Sequence, residues 1–265
     1  MKNRKRMVLE LYPDQCTASL AAAETIASLI QKHNRIEKAT ILGLATGKTP
    51  TALYHELIRK HKDNGLDLSR VITFNLDEYW PIKPDAPQSY HRFMQEHLFK
   101  YLNIMPENIH IPDGMVSEQE LENYCRLYEE KIEGVGGIDI QILGIGRTGH
   151  IGFNEPGSVK DSKTRRVRLD RITRLDAAAD FQGEANVPHY AITMGIGTIL
   201  KARSILLLAF GKHKAPIVRC TIEGPPSNQV AASFLQDHPS VSIYLDPGAA
   251  SLLTRESESW KMTRC

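Results

Sequence analysis

The stretch Thr40-Ile41-Leu42-Gly43-Leu44-Ala45-Thr46-Gly47-Lys48-Thr49-Pro50 passes from a short apolar segment through a glycine turn into an amphipathic segment. Residues 40–44 are too few for a helix and predict a buried strand. Residues 50–64 carry apolar side chains at helical spacing and start at a proline, which suits the first turn of a helix. The stretch therefore predicts a strand, a turn and a helix in succession, which is the repeating unit of a parallel sheet.

The same alternation continues along the chain. It predicts further strands at 71–76, 138–144 and 204–209, an edge strand at 241–245, and further helices at 14–33, 89–102, 117–133 and 212–223. This order predicts an α/β fold with a doubly wound, mainly parallel, Rossmann-like sheet flanked by helices. No internal repeat or low-complexity linker interrupts it, so we expect a single domain over 1–265. Ligands of such sheets bind where loops leave the carboxyl ends of the strands.

The composition bounds the class of partner. Of the 265 residues, 42% are apolar and 24% charged, and 33 basic against 31 acidic residues leave a net charge of +2. These proportions are typical of a soluble globular protein. The balanced charge provides no general field for nucleic acid or a membrane surface, so a small molecule is the expected partner.

The cysteine pattern, together with the lack of a recognisable targeting signal, favours a cytoplasmic protein. The four cysteines lie far apart, without a C-x-x-C pair or a neighbouring histidine at metal-ligand spacing. The basic residues 2–6 are followed by no signal-peptide core or cleavage site. No apolar run approaches the roughly 20 residues of a membrane helix.

Residues 158–186 differ in composition from the rest of the chain. Seven lysines and arginines crowd this segment, four aspartates dilute their charge, and large apolar residues are few. A charge run of this kind indicates a solvated loop or an exposed helix. The alternative is a mobile lid over an anionic substrate.

The glycine turn after the first quoted strand is a candidate phosphate site. A helix amino terminus offers free N–H groups and the positive end of the helix dipole to an anion. The predicted contacts are Ala45, Thr46, Gly47, Lys48 and Thr49. Three residues separate Gly43 from Gly47, one fewer than in a nucleotide-binding P-loop, so a phosphate is favoured over a nucleotide. The alternative is an ordinary strand-to-helix turn.

Two further strand ends carry groups suited to proton transfer. Asp77 and Glu78 follow the strand at 71–76, where burial would raise the pKa of one carboxylate toward that of a useful base; the alternative is a helix cap or a solvated carboxylate. His150 lies in the glycine-rich loop 144–157, five residues before Glu155, which could orient it as a proton shuttle. A structural histidine is the alternative. No serine or cysteine elbow accompanies them, which disfavours an acyl-enzyme hydrolase.

Together these segments resemble the glucosamine-6-phosphate deaminase (isomerase) family, a sister group of the 6-phosphogluconolactonases. The resemblance runs from about Ile41 to about Pro247, through 44–50, 73–79, 88–90, 149–156, 187–195 and 211–215. The Asp-Glu-Tyr and Phe-Asn-Glu-Pro segments favour the deaminase branch over the lactonases.

The resemblance implies a role for each matched residue. Asp77 would move the sugar proton from C2 to C1, and His150, supported by Glu155, would open the ring. Lys214 and the Ala45–Thr49 loop would hold the 6-phosphate, with Gly144, Gly146 and Arg147 also contacting substrate. Neither a metal nor an organic cofactor is implied, and we expect a homo-oligomer.

Two positions depart from the family pattern. Thr148 stands where the family usually has an acidic residue assisting ring opening, and the lid arginine that binds phosphate falls near Ala179. Arg147, Arg174 and Lys48 are candidates to replace that charge. The alternatives for the whole chain are a 6-phosphogluconolactonase, a sugar-phosphate isomerase without deamination, and a sugar-phosphate sensor. A sensor is disfavoured because residues 1–40 offer one helix after a short strand rather than a DNA-binding helix pair.

Overall fold

The computed structural model describes residues 6–254 and 260–262. The strands are β1 (Arg6–Leu11), β2 (Thr40–Leu44), β3 (Val71–Asn75), β4 (Asp77–Trp80), β5 (Ile109–His110), β6 (Ile140–Leu143), β7 (Arg165–Arg168), β8 (Tyr190–Thr193), β9 (Ser204–Ala209), β10 (Ser240–Leu245) and β11 (Trp260–Met262). The α-helices are α1 (Gln15–Asn34), α2 (Lys48–Asn64), α3 (Tyr90–His97), α4 (Leu121–Gly134), α5 (Arg171–Ala177), α6 (Ile196–Leu200), α7 (Ala215–Glu223) and α8 (Pro247–Ala250).

The main sheet has the order β11-β1-β10-β9-β6-β2-β3-β5, and its neighbouring strands all pair in parallel. Buried side chains cover both faces of this sheet: Leu207 and Ile243 belong to one apolar cluster, and Leu206 and Tyr244 belong to the other. Burial on both faces accounts for the continuous apolar runs of the strands. The predicted doubly wound parallel fold is confirmed.

The predicted edge position of 241–245 is wrong. The corresponding strand, β10, lies between β1 and β9. Parallel pairing with β1 covers the side of β10 that an edge strand would leave open. Apolar residues on both of its faces fit this interior position.

The helices follow the predicted segments with shifted ends. Asp14 caps α1 by accepting a hydrogen bond from the Thr17 N–H at 2.7 Å. The predicted helix 89–102 is broken after His97, because Leu98 leaves the helical conformation and a 3₁₀ turn follows over Phe99–Tyr101. None of the helices within 6–254 is long and apolar enough to cross a membrane.

A second, three-stranded antiparallel sheet has the order β4-β8-β7. It includes part of the segment 158–186, which therefore contains the strand β7 and the helix α5 rather than a single loop or helix. The Arg166 guanidinium lies over the rings of Trp80 and Tyr190, at 5.1 and 5.0 Å from their centroids, and so packs β7 against β4 and β8. A lid function of this segment stays a prediction.

The cysteines that the structure describes are Cys16, Cys125 and Cys220, and each is a free thiol. Cys265 and the basic residues 2–5 lie outside the described residues.

Candidate active site

A cavity of about 170 Å³ lies at the carboxyl ends of β2, β3 and β6. It is lined by Ala45, Thr46, Gly47, Lys48, Thr49, Leu76, Asp77, Tyr90, Gly144, Ile145, Gly146, His150, Gly152 and Phe153. Three separate sequence motifs thus meet at one cavity, at the sheet edge where ligands of this fold class bind. The predicted site residues Thr148, Glu155, Arg147 and Lys214 are not part of this lining.

The loop after β2 turns sharply into α2. Gly47 has φ +93°, a backbone conformation that glycine adopts at little cost, and α2 begins directly after it at Lys48. The Tyr54 hydroxyl donates a hydrogen bond to the Ala45 carbonyl at 2.5 Å, which ties the loop to its own helix. Because Gly47, Lys48 and Thr49 all line the cavity, the unpaired N–H groups of the first helical turn lie where an anion would bind.

Asp77 carries a buried carboxylate at the cavity. Its exposed fraction is 6%, and the described residues place no hydrogen-bond donor on its carboxylate oxygens. Burial, with a smaller contribution from the negative charge of Glu78, raises its pKa well above the usual aspartate value. A buried carboxylate with raised proton affinity and access to a cavity is suited to act as a general base.

Glu78 faces away from this cavity and caps α3. Its carboxylate accepts hydrogen bonds from the N–H groups of Tyr79, Tyr90 and His91, each at 2.9 Å. Burial raises the pKa of Glu78 to about 7, although these three hydrogen bonds act in the opposite direction. Of the acidic pair, Asp77 thus lines the cavity and Glu78 caps a helix.

His150 and Glu155 form a hydrogen-bonded pair. The Nδ1 atom of His150 lies 3.2 Å from Oε2 of Glu155 and 3.0 Å from the Thr148 hydroxyl. The opposite edge of the ring lies over Gly146, where a Cβ atom would stand 2.0 Å from Nε2. Glu155 therefore fixes one ring nitrogen while the other lies beside a residue of the cavity wall.

Glu155 has the charge state needed to orient a histidine. Burial alone would raise its pKa, but the hydrogen bond and charge of His150, together with Thr173 and the Asp170 N–H, outweigh burial and lower it. The Asp170 N–H also donates to Oε1 at 3.3 Å. Thr148 contributes a neutral hydroxyl, 3.4 Å from Oε2 of Glu155, where the family pattern has an acid.

The basic candidates are distributed unequally around the cavity. Lys48 lines it directly. The Lys214 ammonium donates to the carbonyl of Ile145, a lining residue, at 2.7 Å, and burial lowers the pKa of Lys214. Arg147 pairs with Asp176, and Arg174 pairs with Glu184 at 3.3 Å. Of the three candidates to replace the lid arginine, Lys48 is the one in the cavity wall.

Thr173 was not identified from the sequence. It lies on α5 with 7% of its surface exposed, its hydroxyl is 3.5 Å from Nδ1 of His150, and its interaction with Glu155 helps to lower the pKa of that carboxyl. A single threonine within a basic segment carries no sequence signal for such a contact. Within residues 6–254, no three His, Cys, Asp or Glu side chains are grouped as metal ligands would be.

Comparison with known proteins places this geometry in a family. Residues 13–243 match the family model described as glucosamine-6-phosphate isomerases/6-phosphogluconolactonase. A glucosamine-6-phosphate deaminase of Thermoanaerobacter pseudethanolicus is 49% identical over 230 residues, which cover 87% of this chain and 90% of the relative.

Solved structures agree with the sequence matches. A monomeric glucosamine-6-phosphate deaminase superposes with a TM-score of 0.89 at 41% identity, covering 93% of this chain and 100% of that one. A 6-phosphogluconolactonase from Trypanosoma cruzi shares the fold, with a TM-score of 0.74 at 22% identity over 95% of this chain and 98% of that one. These matches confirm the resemblance found in the sequence. The chain belongs to the family of glucosamine-6-phosphate isomerases and 6-phosphogluconolactonases.

Proposed function

We propose that this protein converts glucosamine 6-phosphate and water into fructose 6-phosphate and ammonia. The observation that carries the proposal is the buried Asp77 carboxylate, which shares one cavity with the glycine turn of α2 and with His150. Relatives that are named glucosamine-6-phosphate deaminases, at 49% and 41% identity, support the same reaction.

The 6-phosphate would be the main group by which the protein binds its substrate. The 6-phosphate would accept hydrogen bonds from the first turn of α2 and from Lys48, with the Lys214 ammonium nearby. Hydrogen bonds between charged groups are stronger than neutral ones, so a dianionic phosphate would supply much of the affinity.

Ring opening would be the task of His150. The imidazole would take the proton of the anomeric hydroxyl and deliver a proton to the ring oxygen, which breaks the bond from C1 to that oxygen. Glu155, 3.2 Å from Nδ1, would hold the ring in place and stabilise the imidazolium that forms transiently.

Isomerisation and deamination would follow on the open-chain aldehyde. Asp77 would remove the proton from C2 while the carbonyl oxygen on C1 takes up a proton, which gives an enolamine. Asp77 would then return its proton to C1, and loss of a proton from the nitrogen leaves a ketimine at C2. Water adds to the C=N bond, ammonia leaves, and the C2 ketone of fructose 6-phosphate remains. Hydrolysis is thus limited to the imine, and no acyl-enzyme is formed.

The decisive experiment is a side-by-side assay with three compounds. Glucosamine 6-phosphate, galactosamine 6-phosphate and 6-phosphogluconolactone are incubated with the protein, and release of ammonia and of acid is measured. We expect ammonia from glucosamine 6-phosphate together with one equivalent of fructose 6-phosphate. Lactone hydrolysis without ammonia release would instead identify a lactonase, and ketose formation without ammonia a simple isomerase. Binding without turnover of any of the three would indicate a sensor.

A further inference from the structure

An ion pair beside the cavity joins Arg147 to the helix α5. The guanidinium meets the Asp176 carboxylate at two points, Nε to Oδ2 at 3.0 Å and Nη2 to Oδ1 at 2.8 Å. This two-point geometry is the one in which a guanidinium also binds a phosphate. Arg147 directly follows Gly146 of the cavity wall, and 53% of its side chain is exposed.

A second cation stands close to the same carboxylate. The Lys214 ammonium is hydrogen-bonded to the carbonyl of Ile145, two residues before Arg147. Burial lowers the pKa of Lys214, the charge of Arg147 lowers it further, and the charge of Asp176 opposes both. One carboxylate therefore lies among two cations on the side of the cavity where the phosphate is expected.

The two basic residues of α5, Arg171 and Arg174, both pair with Glu184, at 3.6 and 3.3 Å. Arg174 is largely buried, with 16% of its side chain exposed. Arg147 is consequently the arginine whose partner, a solvent-accessible carboxylate, a phosphate could replace.

We propose that Asp176 competes with the substrate's phosphate for Arg147 and thereby sets the affinity of the site for phosphate. This inference rests on the proposed function, because it assumes that a phosphate binds beside Lys214. A phosphate dianion presents three oxygens and two charges where the carboxylate presents two oxygens and one, so phosphate replaces Asp176 when it binds. The exchange raises KM and also weakens the hold on the phosphorylated product, which favours its release.

The test uses inorganic phosphate, whose binding requires no turnover. Calorimetry at physiological salt compares the parent, Asp176→Asn, Arg147→Gln and the double variant. We expect Asp176→Asn to bind phosphate roughly 2- to 5-fold more tightly, the gain expected from freeing one partner of an exposed ion pair. Arg147→Gln should bind phosphate more weakly than the parent. The double variant should bind phosphate little better than Arg147→Gln alone, because salt screens the repulsion between Asp176 and the phosphate.

A matched control is Glu133→Gln. Glu133 forms a similarly exposed ion pair with Lys201 at 2.9 Å, at the end of α4 that leads into the amino-terminal edge of the sheet. The Glu133→Gln substitution removes one negative charge, as Asp176→Asn does, but far from the cavity, and it should leave phosphate binding unchanged.

Three results would overturn the inference. The first is unchanged or weaker phosphate binding by Asp176→Asn, which would make Asp176 a structural or orienting partner of Arg147. The second is an equal gain with and without Arg147, which would reduce Asp176 to a repelling charge. The third is that neither the parent nor Asp176→Asn binds phosphate measurably. Ammonia release is assayed on the same samples, so failure of the proposed reaction is recorded separately from failure of the exchange.

Discussion

At the scale of single residues, the neighbouring carboxylates of Asp77 and Glu78 occupy different surroundings, one in the cavity wall and one at the start of α3. The backbone of a strand sends successive side chains to opposite faces. Asp77 therefore lines the cavity, while Glu78 accepts three backbone N–H groups of its own strand and of α3. The cavity carboxylate and the helix cap, which the sequence left as alternatives, thus both occur, one at each residue, and the role of Asp77 as a base stays a prediction.

The substitution Asp77→Asn should abolish catalysis while stabilising the fold. Loss of a general base lowers kcat by about 10²- to 10⁴-fold. The pKa of Asp77 is raised in the folded state, so its stabilising protonated form is lost as pH rises through that value, and the ionised carboxylate costs stability at neutral pH. Asparagine carries no such cost. Thermal unfolding should show a higher Tm for the variant at pH 8 and a shrinking difference toward pH 4. If the parent and Asp77→Asn had equal Tm values at both pH 8 and pH 4, or if the variant kept near-normal turnover, the assignment of Asp77 as a buried base would be contradicted.

Gly146 is predicted to be irreplaceable because His150 lies against it. A Cβ atom at this position would stand 2.0 Å from Nε2, closer than any real contact, so Gly146→Ala must displace the imidazole. We expect kcat to fall at least about 10-fold, within the range that positioned acid–base groups contribute, while phosphate binding persists.

The matched control for this change is Gly134→Ala. At Gly134, the last residue of α4, a Cβ atom would meet nothing within 4 Å. Alanine should there stabilise the protein by roughly 0.5–1 kcal/mol and leave kcat unchanged. Normal turnover of Gly146→Ala would mean that His150 does not work from its observed position.

At the scale of elements, hydrophobic periodicity predicted the central parallel strands β2, β3, β6, β9 and β10, but it did not predict β5, β11 or the antiparallel sheet. The strands β2 and β9 have the predicted bounds because both of their faces are buried and the apolar run is continuous. The strand β7 consists of Arg-Arg-Val-Arg, half exposed, and only pairing with β8 makes it a strand. Such a strand owes its conformation to a partner distant in sequence, and a local pattern cannot reveal it.

The helix α5 is predicted to help position His150 through Thr173. This residue contacts His150 and Glu155 from a segment that sequence alone describes only as basic. Thr173→Val keeps the shape of the side chain but removes the hydroxyl, and should lower kcat several-fold with little change in KM. Thr173→Ser should restore kcat, since it restores the hydroxyl. Equal kcat values for the valine and serine variants would assign Thr173 to packing alone.

At the scale of the whole molecule, the cavity joins loops that follow three different strands. The sequence predicted this convergence because parallel strands end at a common edge. It did not predict that Arg147 is engaged by Asp176, since that contact spans 29 positions and depends on where α5 packs. The expected homo-oligomer stays a prediction; the solved relative at 41% identity is described as monomeric. Sedimentation of the purified protein distinguishes the two states.

The phosphate group should stabilise the whole fold in a way that the unphosphorylated sugar does not. A ligand at 100 times its Kd stabilises the native state by about 2.7 kcal/mol, and each kcal/mol raises Tm by roughly 2–4 °C in a protein of about this size. Inorganic phosphate and fructose 6-phosphate should therefore raise Tm by several degrees when saturating. Glucosamine and fructose at the same concentrations should leave it unchanged. Lys214→Met retains the apolar stem of the side chain but removes the ammonium, which lies 2.7 Å from the Ile145 carbonyl, and should reduce the shift at a fixed phosphate concentration. Equal shifts from phosphorylated and unphosphorylated sugars would show that the cavity recognises the sugar rather than its phosphate.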